Sequence, residues 1–161
     1  MIAQFTVYGE ALSQGSMKSF ARSWRDKVTG ERKVRAMTTH SNPAVVSWRE
    51  DIRAAIQNQA STVFFAKPTA VLVRAVFYLE RPKSLPKKIT KPVKGRDLDK
   101  LARAACDAMT GKLYTDDKQV TDLHVKKRFA LDRPYVVFYV AEDLEFEDLA
   151  IHQWLDMPRL F

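Results

Sequence analysis

The chain has 161 residues, of which 46% are hydrophobic, so it can build one packed domain and is not a disordered tail. Its 27 Lys and Arg residues outnumber 19 Asp and Glu, which gives a formal net charge of +8 and a pI near 9.7. This charge favours a polyanionic partner, most often nucleic acid, although an anionic membrane or an acidic protein also fits.

The cysteine count and the length of the apolar stretches exclude two further classes, disulfide-stabilised proteins and proteins with a membrane-spanning helix. The single cysteine, Cys106, allows no internal disulfide and favours the cytosol. The longest apolar stretches, such as Thr69–Leu79, are about half as long as a membrane span, and this one contains Arg74. Met1–Tyr8 lacks the basic start and apolar core of a signal peptide. We therefore expect a cytoplasmic protein with no membrane partner.

The first half of the chain predicts a strand, a hairpin and a helix. Alternation of apolar residues predicts a strand at Ile2–Tyr8, followed by a loop at Gly9–Ser19. Two polar segments around Thr29-Gly30 predict a hairpin over Phe20–Met37. Ser41-Asn42-Pro43 is typical of a helix start. Apolar residues at helical spacing then predict a core-facing helix that fades near Ala60, with Val45, Trp48, Ile52, Ala55 and Ile56 on its inner face.

The second half predicts three strands and two helices. In the strand predicted at Thr121–Leu131, Leu123, Val125, Phe129 and Leu131 are expected on one face, and Lys127 interrupts the alternation. The predicted elements are a buried strand at Thr69–Glu80, a helix at Asp97–Gly111, a strand at Thr121–Leu131, a strand at Pro134–Ala141 and a short helix at Glu147–Leu155.

This order of elements predicts an α+β fold: a single domain over residues 1–161, with a mixed β-sheet and helices packed on one face. Residues 142–161 are expected to form a C-terminal extension. Residues 81–96 form a basic loop with seven Lys and Arg, three Pro and no acid. It leads directly into an acidic segment, so we favour DNA contact over a merely solvated loop.

Four carboxylates carry the predicted chemistry: Asp97 and Asp99 at a helix start, and Asp116 and Asp117 about 20 residues later. A return of the chain would bring the two pairs together. Carboxylates that gather in this way repel each other unless a cation lies between them. Hard oxygen ligands at this density suit Mg²⁺ or Mn²⁺.

Such a site suits phosphodiester cleavage, because carboxylate-held metal activates water and neutralises the phosphoryl oxygens. Arg103, one turn after Asp99, is a candidate to stabilise the transition state, and Lys100 is a second. A purely structural interpretation also stays open. Asp97 is then only a helix cap, and Asp116 and Asp117 only form a turn.

Three runs of sequence resemble one known family. Arg96–Leu101 reads RDLDKL, Asp107–Gly111 reads DAMTG, and Tyr114–Val120 reads YTDDKQV. In this order and spacing they resemble the RusA family of Holliday junction resolvases, over about 35 residues from Lys94 to Lys127. Gln14-Gly15-Ser16 and Trp48-Arg49 are similar to phage members of the family, more weakly.

The resemblance implies specific roles. Asp97 and Asp99 match the family's first aspartates, and Asp117 matches the catalytic aspartate of its Asp-Asp turn, with Asp116 in support at the metal. The family's catalytic lysine falls on Arg103, which keeps the charge but cannot donate a proton. Lys100 stands where the family usually has Asn. The resemblance further implies Mg²⁺-dependent homodimers that cut four-way DNA junctions in recombination and repair, in a bacterial cytosol or a phage-infected host.

The predicted DNA contacts are basic residues around this segment: Lys94, Arg96, Lys100, Lys126 and Lys127. Two other functions stay open. One is a nuclease for other branched DNA such as forks and flaps, and the other is a non-catalytic DNA-binding recombination protein.

Some reactive or aromatic residues receive no catalytic role. Cys106 is expected in the core and His124 on the solvated surface. Trp24, Trp48 and Trp154 are able to stack on bases, but Trp48 fits the core face of its helix.

Overall fold

A computed structural model describes residues 1–13, 17–40 and 44–144, with the side chains of 17–20 and 35–40 left undescribed. Gln14-Gly15-Ser16, Ser41-Asn42-Pro43, Trp154 and the helix expected at Glu147–Leu155 lie outside these residues. The elements in chain order are β1 (Ile2–Tyr8), β2 (Met17–Arg25), β3 (Arg32–His40), α1 (Ala44–Gln59), β4 (Val71–Leu79), α2 (Leu98–Met109), a 3₁₀ turn (Asp117–Gln119), β5 (Val120–Phe129) and β6 (Tyr135–Glu142).

The main sheet has four strands in the order β1-β6-β4-β5. β6 pairs antiparallel with both β1 and β4, whereas β4 and β5 run parallel. The sheet is therefore mixed, and the predicted α+β domain is confirmed. The parallel pair requires a long connection between β4 and β5. That connection contains the basic loop, α2 and the 3₁₀ turn, and so holds nearly all of the candidate site.

The core lies between one face of this sheet and both helices. Trp48 and Ile52 of α1 and Leu101 of α2 are almost fully buried, as their spacing predicts. Phe77 of β4 packs edge-on against Phe138 of β6, with ring centroids 6.1 Å apart. Each large side chain buried in this way contributes roughly 1.5–3 kcal/mol to folding.

β5 is an edge strand of the described sheet, as is β1, and its position changes one prediction. Leu123, expected on the inner face, is 45% exposed, and Leu131 is 77% exposed because it lies beyond the end of the strand at Phe129. A register shift between Val71 and Leu72 of β4 accompanies this loose start of β5. Fewer neighbours cover an edge strand, so its apolar positions are less deeply buried than the alternation suggests.

β2 and β3 form a separate two-stranded sheet, so the predicted hairpin is confirmed and is longer at both ends than expected. The strands are joined by a turn at residues 26–31. We call residues 17–40 the ribbon.

Candidate functional site

The start of α2 holds the first pair of candidate carboxylates. Asp97 occupies the N-cap position with extended backbone angles, φ −70° and ψ 136°, but its side chain makes no capping hydrogen bond. Instead, Nζ of Lys100 lies 2.6 Å from Oδ2 of Asp97. The predicted N-cap position of Asp97 is therefore correct, but its carboxylate pairs with the Lys100 ammonium instead of capping the helix amides.

Charges around Lys100 form one electrostatic cluster. The Lys100 ammonium lowers the pKa of Asp97 by hydrogen bonding and by its charge, and Lys127 adds a smaller effect. Asp97, and then Asp99, raise the pKa of Lys100, while Arg103 opposes them. The sequence places Arg103 one turn after Asp99, and in the structure the charges of both act on Lys100.

Asp116 is held by structural partners. Its carboxylate accepts a hydrogen bond from the Lys118 amide at 3.1 Å, and the Gln119 side chain accepts one from the Asp116 amide at 3.0 Å, forming a capping box. Nζ of Lys67 lies 2.9 Å from Oδ2 of Asp116. Lys67, followed by the Lys118 amide, lowers the pKa of Asp116 to about 2. The turn-forming interpretation of Asp116 is thus realised, while its support of a metal stays a prediction.

Asp117, the second acid of the pair, is exposed and belongs to the 3₁₀ turn, which packs against α2. Burial, with smaller contributions from the charges of Asp107 and Asp117, raises the pKa of the Cys106 thiol to about 11. Burial also raises the pKa of Tyr114, with a contribution from Asp117.

The two candidate pairs lie toward opposite ends of α2, because the 3₁₀ turn packs against this helix and β5 then returns to its start, where Lys127 donates to the Arg96 carbonyl. At about 1.5 Å of rise per residue, the 12 residues of α2 extend about 18 Å. In the described part of the chain, no three His, Cys, Asp or Glu residues lie close enough to hold one metal ion. The donor type fits Mg²⁺, but the expected gathering of both pairs is not seen, so the metal assignment of Asp97, Asp99, Asp116 and Asp117 stays a prediction.

Two ion pairs were not predicted from the sequence. An Arg49 guanidinium nitrogen lies 2.5 Å from Oδ2 of Asp107 and links α1 to α2. Arg74, fully buried in β4, makes a two-point ion pair with Asp122 of β5 at 3.1 and 3.0 Å. An arginine within an apolar strand was the available signal, because a buried charge requires a partner. Nε2 of His124 also lies 2.9 Å from Asp122, and His124 is exposed as expected.

The basic residues fall into two sets. Arg96 pairs with Glu10 at 2.5 Å, and Nζ of Lys127 donates to the Arg96 carbonyl at 2.9 Å, next to exposed Lys94. Lys127 is in register with Phe77 of the core face, whereas Lys126 is in register with Val76 on the opposite face. Four of the five predicted DNA contacts thus lie together at the start of α2: Lys94, Arg96, Lys100 and Lys127. Lys126 lies on the opposite face of β5.

A cleft of about 540 Å³ separates the basic loop from the ends of β4 and β5. Asp97, Lys100 and Arg96 line it together with apolar residues that include Ile89 and Phe129. Arg81 braces the loop by donating to the Ile89 carbonyl at 2.7 Å and by lying 4.9 Å from the centre of the Phe129 ring. The candidate site thus opens onto a cleft with a basic rim.

The fold and this surface define an α+β domain with a polar, carboxylate-containing site on a basic protein. The family model of the RusA endodeoxyribonucleases matches residues 21–140, which is most of the chain. The chain belongs to the RusA family, and the resemblance seen in its sequence motifs is confirmed. The described candidate carboxylates and the cations around them all lie within the matched residues.

No curated protein gave a significant match to the chain. In the part of the chain that the structure describes, none of the helices is long and apolar enough to cross a membrane.

Proposed function

We propose that this chain is a Mg²⁺-dependent, structure-selective endonuclease that cuts four-way DNA junctions. The observation that carries the proposal is the exposed Asp97–Lys100–Asp99 cluster, set among basic side chains within a region that matches an endodeoxyribonuclease family. A basic rim attracts the phosphate backbone, and acidic side chains within it are otherwise hard to explain on a DNA-binding surface.

The chain's own residues have distinct roles in this proposal. Lys94, Arg96 and Lys127 bind the DNA backbone beside the cleft. Arg103 contacts the phosphoryl group and stabilises the negative charge that develops on its oxygens. Lys100 keeps Asp97 ionised and orients its carboxylate. Asp97 and Asp99 would supply Mg²⁺ ligands at the start of α2, and Asp117, with Asp116 in support, would supply them at the 3₁₀ turn; one ion shared by both pairs would require them to move together. Bound Mg²⁺ would supply an activated water and neutralise phosphoryl charge.

The proposal includes a homodimer acting in the cytoplasm, with one site per protomer. A four-way junction has two opposed strands related by twofold symmetry, and a twofold dimer offers two matching sites. Cutting both strands in one encounter then requires that the two sites be held at a fixed separation.

The decisive experiment compares cleavage of a four-way junction, a replication fork, a flap and a linear duplex in Mg²⁺, Mn²⁺ or EDTA. We expect junction cleavage that needs a divalent ion, and we expect Asp99→Asn to abolish cleavage while junction binding is retained. Preferential cutting of forks or flaps would assign the chain to the other branched-DNA specificity. Failure to cut any branched DNA with either metal contradicts the nuclease assignment.

A second candidate is a DNA-binding protein of recombination that retains the fold without the chemistry. Two observations favour it: Lys100 already pairs with Asp97, and the described carboxylates form no group of three. The same experiment separates the candidates. Junction binding without cleavage at any metal concentration supports the binding protein, whereas cleavage that disappears in Asp99→Asn supports the nuclease.

A further inference from the structure

The ribbon is a regular feature that the candidate site does not use. Its two nine-residue strands pair without interruption, from Met17 opposite His40 to Arg25 opposite Arg32. At about 3.4 Å per residue each strand is about 30 Å long. In the described chain it shares no sheet hydrogen bonds with the main sheet.

The turn of the ribbon is closed by Asp26. Its carboxylate accepts hydrogen bonds from the amides of Val28 at 2.9 Å and Thr29 at 3.2 Å, and pairs with Nζ of Lys33 at 2.5 Å. Gly30 adopts a φ of 72°, which favours glycine, and its amide donates to the Asp26 carbonyl at 2.9 Å. The end of the ribbon therefore has a defined shape, able to present side chains in fixed positions.

The ribbon is strongly basic. Residues 17–40 include seven Lys and Arg and two acids, which gives them a net charge of +5. Residues 21–34 are exposed, apart from half-buried Asp26. This charge does not stabilise the ribbon, because like charges on a two-stranded sheet repel one another. It is better explained by an anionic partner.

Trp24 gives the ribbon a second chemical character. It is 46% exposed, in contrast with Trp48, which is 2% exposed in the core. It lies opposite Lys33 and, by the alternation of a strand, on the same face as Arg22. An exposed indole among cations is the combination that binds nucleic acid by stacking on a base while the cations contact phosphates.

We propose that the ribbon is a DNA-binding element in which Trp24 stacks on an unstacked base at a branch point and Arg22, on the same face, contacts phosphates. Arg25 and Arg32, which pair on the other face, contact phosphates of an adjacent strand of the branched DNA. The choice of branched DNA rests on the proposed function. Bases at a branch point are the least costly to unstack, because their pairing or stacking is already interrupted. A strand of this length spans about nine base pairs of duplex, at 3.4 Å per nucleotide along each strand.

The test of stacking uses a four-way junction in EDTA, where binding is measured without cleavage. We expect Trp24→Ala to bind about tenfold more weakly than wild type, and Trp24→Phe to retain most of the affinity, because stacking on an aromatic ring gives a difference of that size. A junction labelled with 2-aminopurine at the branch point should show a fluorescence change with wild type that is lost in Trp24→Ala. A linear duplex should show little effect of either change.

The test of phosphate contact measures how affinity depends on salt. The double variant Arg22→Ala with Arg25→Ala should have a shallower slope of log affinity against log salt, by about two. The control, Lys112→Ala with Arg133→Ala, removes the same charge from exposed positions outside the ribbon and should leave the slope unchanged.

The outcomes separate this inference from the proposed function. If wild type binds and cuts junctions while the ribbon variants have unchanged affinity and salt slope, the ribbon inference alone is wrong. If Trp24→Ala weakens junction and linear duplex equally, the stacking role is wrong. If wild-type protein binds no branched DNA, the proposed function and this inference are both wrong.

Discussion

The ammonium of Lys100 lies 2.6 Å from Oδ2 of Asp97, so the first carboxylate of α2 is paired with a cation of the protein itself. Both side chains are exposed, at 43% and 56%, and the ion pair can therefore open without rearrangement of the core. Exposed pairs of this kind contribute at most about 1 kcal/mol. Any metal ion that binds Asp97 displaces the Lys100 ammonium or shares the carboxylate with it.

Replacing Lys100 by Asn removes this competitor. We expect Lys100→Asn to lower the Mg²⁺ concentration for half-maximal junction cleavage roughly three- to fivefold, since an exposed pair of at most about 1 kcal/mol is lost. A Mg²⁺ titration of the cleavage rate measures the effect. Lys94→Asn is the matched control, because it removes one exposed charge that has no ion pair with Asp97 in the described chain. Equal Mg²⁺ requirements in all three proteins would contradict the competition.

Arg103 is expected to act by charge. Arg103→Ala should reduce the rate of junction cleavage about 100-fold, because a cation positioned at the phosphoryl group has an effect of that order. Arg103→Lys should cut faster than Arg103→Ala, since it restores the positive charge. Single-turnover rates at saturating protein separate this effect from DNA binding. Equal rates for the two variants would remove Arg103 from the mechanism.

The Arg74–Asp122 pair makes a prediction about stability. Asp122→Ala leaves the guanidinium of Arg74 buried without its carboxylate partner, and should lower the free energy of unfolding by about 3 kcal/mol. Urea denaturation measures the change. His124→Ala removes the exposed neighbour of the same carboxylate and should cost less than about 1 kcal/mol. Similar losses for the two variants would show that burial of Arg74 is not the cause.

Cys106 makes a prediction about pH. Burial raises the pKa of the folded thiol to about 11 from an ordinary value of 9.0. The unfolded chain therefore loses the thiol proton first, and the stabilising difference is complete below pH 9 and lost as the pH rises toward 11. The thiol's contribution over that interval is about 3 kcal/mol.

The measurement compares urea unfolding at pH 8 and pH 10.5 for wild type and Cys106→Ala. Wild type should lose more stability than the variant between these two values. Tyr114, whose pKa is raised chiefly by burial, remains in both proteins, so only the part of its shift that Cys106 causes differs between them. A parallel loss in the two proteins would mean that the thiol stays protonated or is accessible to solvent.

Local sequence patterns predicted the positions of the main strands and helices well. The strand at Ile2–Tyr8, the helix through Trp48 and the helix after Asp97 follow from alternation and helical spacing, which depend on neighbours in sequence. The capping box of Asp116 and Gln119 is local in the same way. Both features need only a few consecutive residues to be recognised.

Contacts between residues that are far apart in the sequence could not be predicted from local spacing. Arg74 and Asp122 are 48 residues apart and meet because β4 and β5 are parallel neighbours, which no local spacing reveals. The separation of Asp97 from Asp117 also depends on the direction of α2 relative to β5. The sequence identified the candidate carboxylates, whereas the length and direction of the elements decide which of them meet.

The parallel pairing of β4 with β5 has a consequence for how the site forms and is lost. Among the described residues β5 is paired on one side only, and the connection that leads to it contains the basic loop, α2 and the 3₁₀ turn. Local unfolding proceeds in cooperative units, and an edge strand with its connection is a natural unit. Release of β5 from the sheet would therefore disrupt the cleft and displace Asp117 and Lys127 at the same time, whereas β1, β6 and β4 would stay paired. The persistence of the candidate site is thus governed by the opening free energy of one edge strand.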